Sequence, residues 1–133
     1  MCGRLNVVND PLAQWVSKFF GLNFQTVTNS DLRPTQAVST VIKRNDALIQ
    51  LDAHWGIRPS WSKKLIINAQ SETAATKKTF SDSFSMQRCL VPCTGWYEWR
   101  DEGGSRKQKY AFSYMDSTPV LMAGMWFKNA DQQ

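Results

Sequence analysis

The chain is poor in the residues that most enzymes draw on for acid–base and metal chemistry. It has one histidine, His54, and only three of its eleven acidic residues are glutamate. Three cysteines (Cys2, Cys89 and Cys93) cannot form a fully paired framework, which fits a reducing compartment. Cys89-x3-Cys93 beside a single histidine is poor zinc spacing, so no metal site is expected. Cys89 and Cys93 read as buried structural thiols. No apolar run approaches the roughly 20 residues of a membrane span. No charged segment leads into an apolar one as in a signal peptide. The chain therefore reads as cytoplasmic, with no membrane partner.

What is present fits a single domain spanning residues 1–133. Hydrophobic residues make up 42% and charged residues 20%, ordinary for a globular protein. Sixteen Lys and Arg against eleven acids give a net charge of +5, compatible with a nucleic-acid partner but shared by many unrelated proteins. Six tryptophans stand out more. Aromatics interleaved with cations suit stacking on unpaired bases, and they suit a plain core equally well.

Met1-Cys2-Gly3-Arg4 carries the most specific chemistry. A small second residue permits removal of Met1, leaving Cys2 with an α-amine and a thiol on adjacent carbons. Such a 1,2-aminothiol can condense with an aldehyde to an imine and then close a thiazolidine ring through sulfur. Both groups titrate near neutrality, at roughly 7.7–8.0 for the amine and about 8.5 for the thiol. Arg4 is expected to lower the thiol further. Many proteins begin Met-Cys with no such role.

Along the chain, Leu5 to Val8 predicts a strand, and Asn9-Asp10-Pro11 a capped helix start. Leu12, Trp15, Val16, Phe19 and Phe20 continue that helix with core spacing, and Gly21 ends it. Thr28 to Gln36 reads as a loop. Val38 to Lys43 and Ala47 to Leu51 read as a hairpin around Asn45-Asp46. Trp55 to Trp61 is too rich in breakers for regular structure. With Arg58, Lys63 and Lys64 it is either a nucleic-acid surface or, the plainer reading, a solvated turn over a buried Trp55. Leu65-Ile66-Ile67 reads as a short buried strand, and Thr76 to Met86 as a helix with Lys77-Lys78 in its first turn. Strands are expected from Cys89, over Gly95 to Trp99, over Lys109 to Tyr114 and over Pro119 to Phe127. On the Gly95 to Trp99 strand, Trp96 and Glu98 share one face. A carboxylate flanked by tryptophans is desolvated and suited to proton transfer, unless it is simply an edge residue facing water.

Four motifs occur in order: Met-Cys-Gly-Arg at the start; Trp55-Gly-x-x-Pro59-x-Trp61; Asn68-Ala-x-x-Glu72-Thr73; and Arg88-Cys-Leu-Val-Pro92-x-x-Gly95-Trp96-Tyr97-Glu98-Trp99. Together they resemble the SOS response-associated peptidase (SRAP) family over nearly the whole chain. The resemblance implies an α+β fold with a barrel-like mixed or antiparallel sheet flanked by helices. It implies action on abasic sites in single-stranded DNA, through a thiazolidine crosslink at Cys2, and a proposed peptidase activity that includes removal of Met1. It implies no metal or organic cofactor, and a nucleoid-associated location.

Carried across on the matching motifs, the resemblance makes Cys2 the nucleophile. Asn68 would hold the N-terminus and the sugar, and Glu98 would assist ring opening and proton transfer. Arg4, Trp61, Gln70, Lys77 and Lys78 would contact DNA. Three departures accompany it. Gln70 stands where the family has arginine. Asp31 stands where it usually has asparagine, with Arg33 in place of an alanine. The family also continues beyond Gly124-Met125-Trp126 to a segment bearing a catalytic histidine, which His54 does not match. The chain thus reads as the front part of the domain, with an unpaired sheet edge prone to self-association. A thiol peptidase and a non-catalytic single-strand-binding remnant are the alternatives. The peptidase lacks an adjacent histidine base.

Overall fold

The structure is a computed structural model and describes residues 2–128. Strand β1 (Leu5–Val7) leads into helix α1 (Asn9–Phe20) and strand β2 (Asn29–Leu32). Strands β3 (Ala37–Arg44) and β4 (Ala47–His54) form a hairpin. Two short helices, α2 (Ser71–Ala74) and α3 (Ser81–Met86), precede β5 (Arg88–Cys93), β6 (Gly95–Arg100), β7 (Gln108–Phe112) and β8 (Val120–Met125).

The strands form two four-stranded sheets, ordered β2-β1-β6-β7 and β4-β3-β5-β8, and the strand pairs in both are antiparallel. The architecture is α+β. The described residues show two open sheets and no closed barrel, and no mixed pairing is seen. Leu5, Val7, Leu32, Val38, Val41 and Cys93 from the strands meet Leu12 and Val16 of α1 and Phe24 in one buried cluster. Among the described residues, no helix is long and apolar enough to cross a membrane.

The turn chemistry places the elements. Asn45 and Asp46 both take positive φ (50° and 61°), which gives the β3–β4 turn the twist a two-residue hairpin needs. Gly21 closes α1 in the left-handed region at φ 67°. Thr94 alone separates β5 from β6 and turns the chain from one sheet into the other. Its N–H donates to the Asn6 carbonyl at 2.9 Å and its Oγ1 accepts from the Val8 N–H at 3.0 Å. Gly95 follows because a Cβ there would lie 2.2 Å from the Phe112 carbonyl oxygen.

Four expectations need correction. Asn9-Asp10 does not cap α1. Asp10 is extended (φ −105°, ψ 122°), as a residue before proline prefers. The Asn9 N–H instead donates to Thr28 Oγ1 at 3.0 Å. The predicted loop over 28–36 contains β2, paired to β1 with Leu5 opposite Leu32. Only Leu32 of β2 is buried, so the strand carries little apolar signal. Leu65–Ile67 is no full strand: Ile57 and Ile66 form an isolated bridge. The helix expected over 76–86 begins only at Ser81, so Lys77 and Lys78 lie in turns, with the Lys77 carbonyl accepting from Phe80 and Ser81.

Candidate functional site

The Cys2–Arg4 segment runs straight into β1, an inner strand flanked by β2 and β6. Leu5 lies opposite Trp96, and the Tyr97 N–H donates to the Arg4 carbonyl at 3.1 Å. Because the pairing is antiparallel, the chain before Leu5 runs toward the end of β6 that lies beyond Trp96, where Glu98 sits. The strand thus delivers the start of the chain to the Glu98 stretch of β6.

A second segment meets it there. The Ile57–Ile66 bridge brings 65–68 alongside the Trp55–Gly56 turn, with bonds of 2.9 and 2.8 Å. The Trp55 indole N–H donates to the Ile67 carbonyl at 2.9 Å. Trp55 is half-buried, so it is a strut for this loop more than a covered core residue. The next side chain, Asn68, then donates through Nδ2 to the Cys2 carbonyl at 2.6 Å. Asn68 and Cys2 are 66 residues apart in sequence, and this bond fixes the main chain beside the thiol.

The Cys2 thiol is partly buried, and burial raises its pKa. Hydrogen bonding with the Arg4 backbone offsets part of this, and the negative charge of Glu98 raises the pKa again. The Cys2 Sγ lies 3.6 Å from the Arg4 carbonyl oxygen, to which the thiol can donate. Arg4 does lower the thiol, through its backbone, but burial outweighs it and the net shift is upward. Its guanidinium faces elsewhere, with Nη1 2.6 Å from Asp31 Oδ1 and the Trp99 ring centroid 5.2 Å away. Cys93 belongs to the buried cluster against which Cys2 packs, and burial pushes its thiol up to about 12. Burial thus disfavours the thiolate at both cysteines.

Of the residues singled out in the sequence, the structure gathers Cys2, Arg4, Asn68 and Glu98. Glu98 is half-buried on β6. Trp61 is 68% exposed in a turn closed by the Ser62 N–H and the Pro59 carbonyl. Gln70 is exposed, and its carbonyl accepts from Thr73 and Ala74 at the start of α2. Lys77 and Lys78 are exposed. Met1 lies outside the described residues.

Three neighbours were given no role in the sequence reading. Asp31 bonds both Arg4 and Arg33. Lys109 of β7 lies 4.0 Å from the Tyr97 ring centroid and 5.6 Å from that of Trp99. The Trp99 ring is within reach of both Arg4 and Lys109. The alternation of Tyr97 and Trp99 on one face of β6 was the available signal, but the cations near them come from the segment before β1 and from β7, which only the register reveals.

A family model described as SOS response associated peptidase (SRAP) matches residues 1–133. The chain belongs to the SRAP family. It is 29% identical over 115 residues to the abasic site processing protein YedK of Escherichia coli K12, covering 86% of this chain and 51% of that protein. It is 27% identical over 138 residues to the abasic site processing protein YoqW of Bacillus subtilis 168, covering 96% and 61%. A solved structure of a phage-related protein from Bordetella bronchiseptica superposes with a TM-score of 0.78 at 27% identity, covering 99% of this chain and 64% of that one. The SRAP chain thus spans between half and two-thirds of these relatives.

Proposed function

We propose that this SRAP chain recognises abasic sites in single-stranded DNA and captures them covalently through Cys2, as part of the response to DNA damage. Its SRAP membership and relatives named as abasic site processing proteins support abasic-site DNA as the substrate class. The observation that carries the residue assignment is the 2.6 Å bond from Asn68 to the Cys2 carbonyl, which fixes the 1,2-aminothiol backbone beside the strand bearing Glu98.

In this reading Met1 is removed first, because an acylated nitrogen cannot form an imine. The free Cys2 amine attacks the ring-opened deoxyribose aldehyde and water leaves. The sulfur then adds to the imine carbon and its proton passes to the nitrogen, so the thiazolidine forms with net loss of one water. Neither step needs an oxidant, metal or organic cofactor. Glu98 moves protons during ring opening and dehydration. Arg4, Gln70, Lys77 and Lys78 contact the DNA, and Trp61 stacks where the strand bends. The same reading places the protein in the cytoplasm, at the nucleoid.

The barrel-like arrangement belongs to the proposal as well. It requires β7 and β8, each hydrogen-bonded to one strand among the described residues, to gain further partners. A thiol peptidase would need an activated thiolate. The raised Cys2 pKa runs against this, and His54 lies exposed at the end of β4.

The test is intact mass after incubation with an abasic single-stranded oligonucleotide. The expected adduct is the protein without methionine plus DNA minus one water. Cys2→Ser should abolish the adduct and leave binding nearly intact. Adducts that retain Met1 would overturn the thiazolidine route, and binding without any adduct would leave a single-strand-binding module.

A further inference from the structure

The Asp31 carboxylate is saturated by two arginines. Arg4 Nη1 reaches Oδ1 at 2.6 Å, while Arg33 Nε and Nη2 reach Oδ2 at 3.0 and 2.6 Å. The Asp31 N–H is itself held by Asn29 Oδ1 at 3.1 Å, and the Arg33 N–H by Gln36 Oε1 at 2.8 Å. The cluster is partly open: the side chains of Arg4, Asp31 and Arg33 are 24%, 42% and 58% exposed. Arg4 Nε is buried without a hydrogen-bond partner among the described residues.

We propose that Asp31 is a phosphate-mimicking latch on the DNA-binding surface. Its carboxylate occupies the donors of Arg4 and Arg33 in the empty protein and must yield them to a backbone phosphate when a strand binds. The proposal rests on the DNA-binding reading above and adds a residue that opposes binding. A guanidinium matches carboxylate and phosphate with the same fork of donors, so the two anions compete for the same groups. Arg4 is joined through its own backbone to Cys2, so the exchange happens two residues from the nucleophile. The latch holds Arg4 in place without DNA and weakens the grip on undamaged strands. Partial exposure lets the carboxylate swing into water when it is released.

The probe is an unmodified twelve-residue oligothymidylate, titrated over a range of salt against the wild-type chain and Asp31→Asn. Freeing the two arginines should tighten binding about 2- to 5-fold, the scale of exposed ion pairs. It should also steepen the logarithmic salt dependence by about 0.7 for each additional phosphate that the freed arginines neutralise. A folded Asp31→Asn chain with equal or weaker affinity and an unchanged slope overturns the latch, as does failure of both proteins to bind. If the variant does not fold, the Asp31 carboxyl 13C resonance of the wild-type chain serves instead. It should move as the oligonucleotide saturates, and a resonance that stays fixed overturns the latch. The two readings separate cleanly. Abasic capture by the wild type without tighter binding by Asp31→Asn sinks only the latch, whereas tighter binding without capture sinks only the Cys2 chemistry.

Discussion

Asn68→Ala removes the 2.6 Å hydrogen bond that ties the 65–68 loop to the Cys2 carbonyl. The bond is partly buried, so water replaces it only in part. A neutral hydrogen bond of this kind contributes about 0.5–1.5 kcal/mol net. A modest fall in stability of that size is expected in urea denaturation. If the bond acts only to hold Cys2 in its reacting position, the same energy at about 1.36 kcal/mol per tenfold slows capture roughly 2- to 13-fold. Loss beyond that would report misplacement of the aminothiol, since errors of about 1 Å can cost on the order of 10²-fold. The assay is single-turnover capture of abasic single-stranded DNA at saturating oligonucleotide, read as a gel-shifted covalent species. Saturation removes any effect on binding. A folded Asn68→Ala chain that captures at the wild-type rate would refute the anchoring role of Asn68.

Glu98→Gln should preserve binding and slow capture by about 10²–10⁴-fold if the carboxylate moves protons; an unchanged rate reassigns it to structure. Trp61→Ala should weaken single-strand binding by about 1–3 kcal/mol if the exposed indole stacks on a base, measured by fluorescence titration, and no loss would make it a bystander. Folding stability should fall as pH rises above the ordinary thiol value of 9.0, because the unfolded chain then releases protons that the buried thiols retain up to about 11 for Cys89 and about 12 for Cys93. Each thiol contributes about 1.4 kcal/mol per pH unit across its window, and Cys93→Ala should remove one such slope from urea midpoints measured between pH 9 and 11. Strand β7 is exposed throughout, with Tyr110 and Phe112 at 39% and 43%. The chain should therefore self-associate through an edge strand, and sedimentation velocity showing only monomer at high concentration would contradict this.

Much of the fold was legible where apolar spacing and turn residues agree, as in α1 ending at Gly21 and the hairpin turning at Asn45-Asp46. It was illegible where tertiary partners replaced local signals. Thr94 and Thr28 hold the Val8 and Asn9 N–H groups at the entry to α1, where the sequence suggested a capping side chain. The polar β2 strand exists because β1 supplies its ladder and Leu32 its single inward anchor. The site divides the same way. Cys2, Asn68 and Glu98 stood in motifs and could be named from them. Asp31 was noted only as a departure, because its partners lie 27 residues back and two residues ahead. Arg4 shows the same limit: Asp31 captures its guanidinium, and proximity in sequence said nothing about which anion would do so.

The alignment of β1 with β6 carries a consequence for how this site can vary. The segment bearing Cys2 leads into a ladder in which Leu5 faces Trp96 and Asn6 faces Gly95. A ladder register is an integer, and sliding it by one residue would exchange the inward and outward faces of β6. The placement of β1 against β6 is therefore quantised: small sequence changes in loops cannot tune it gradually, and it is either kept or lost in a single step.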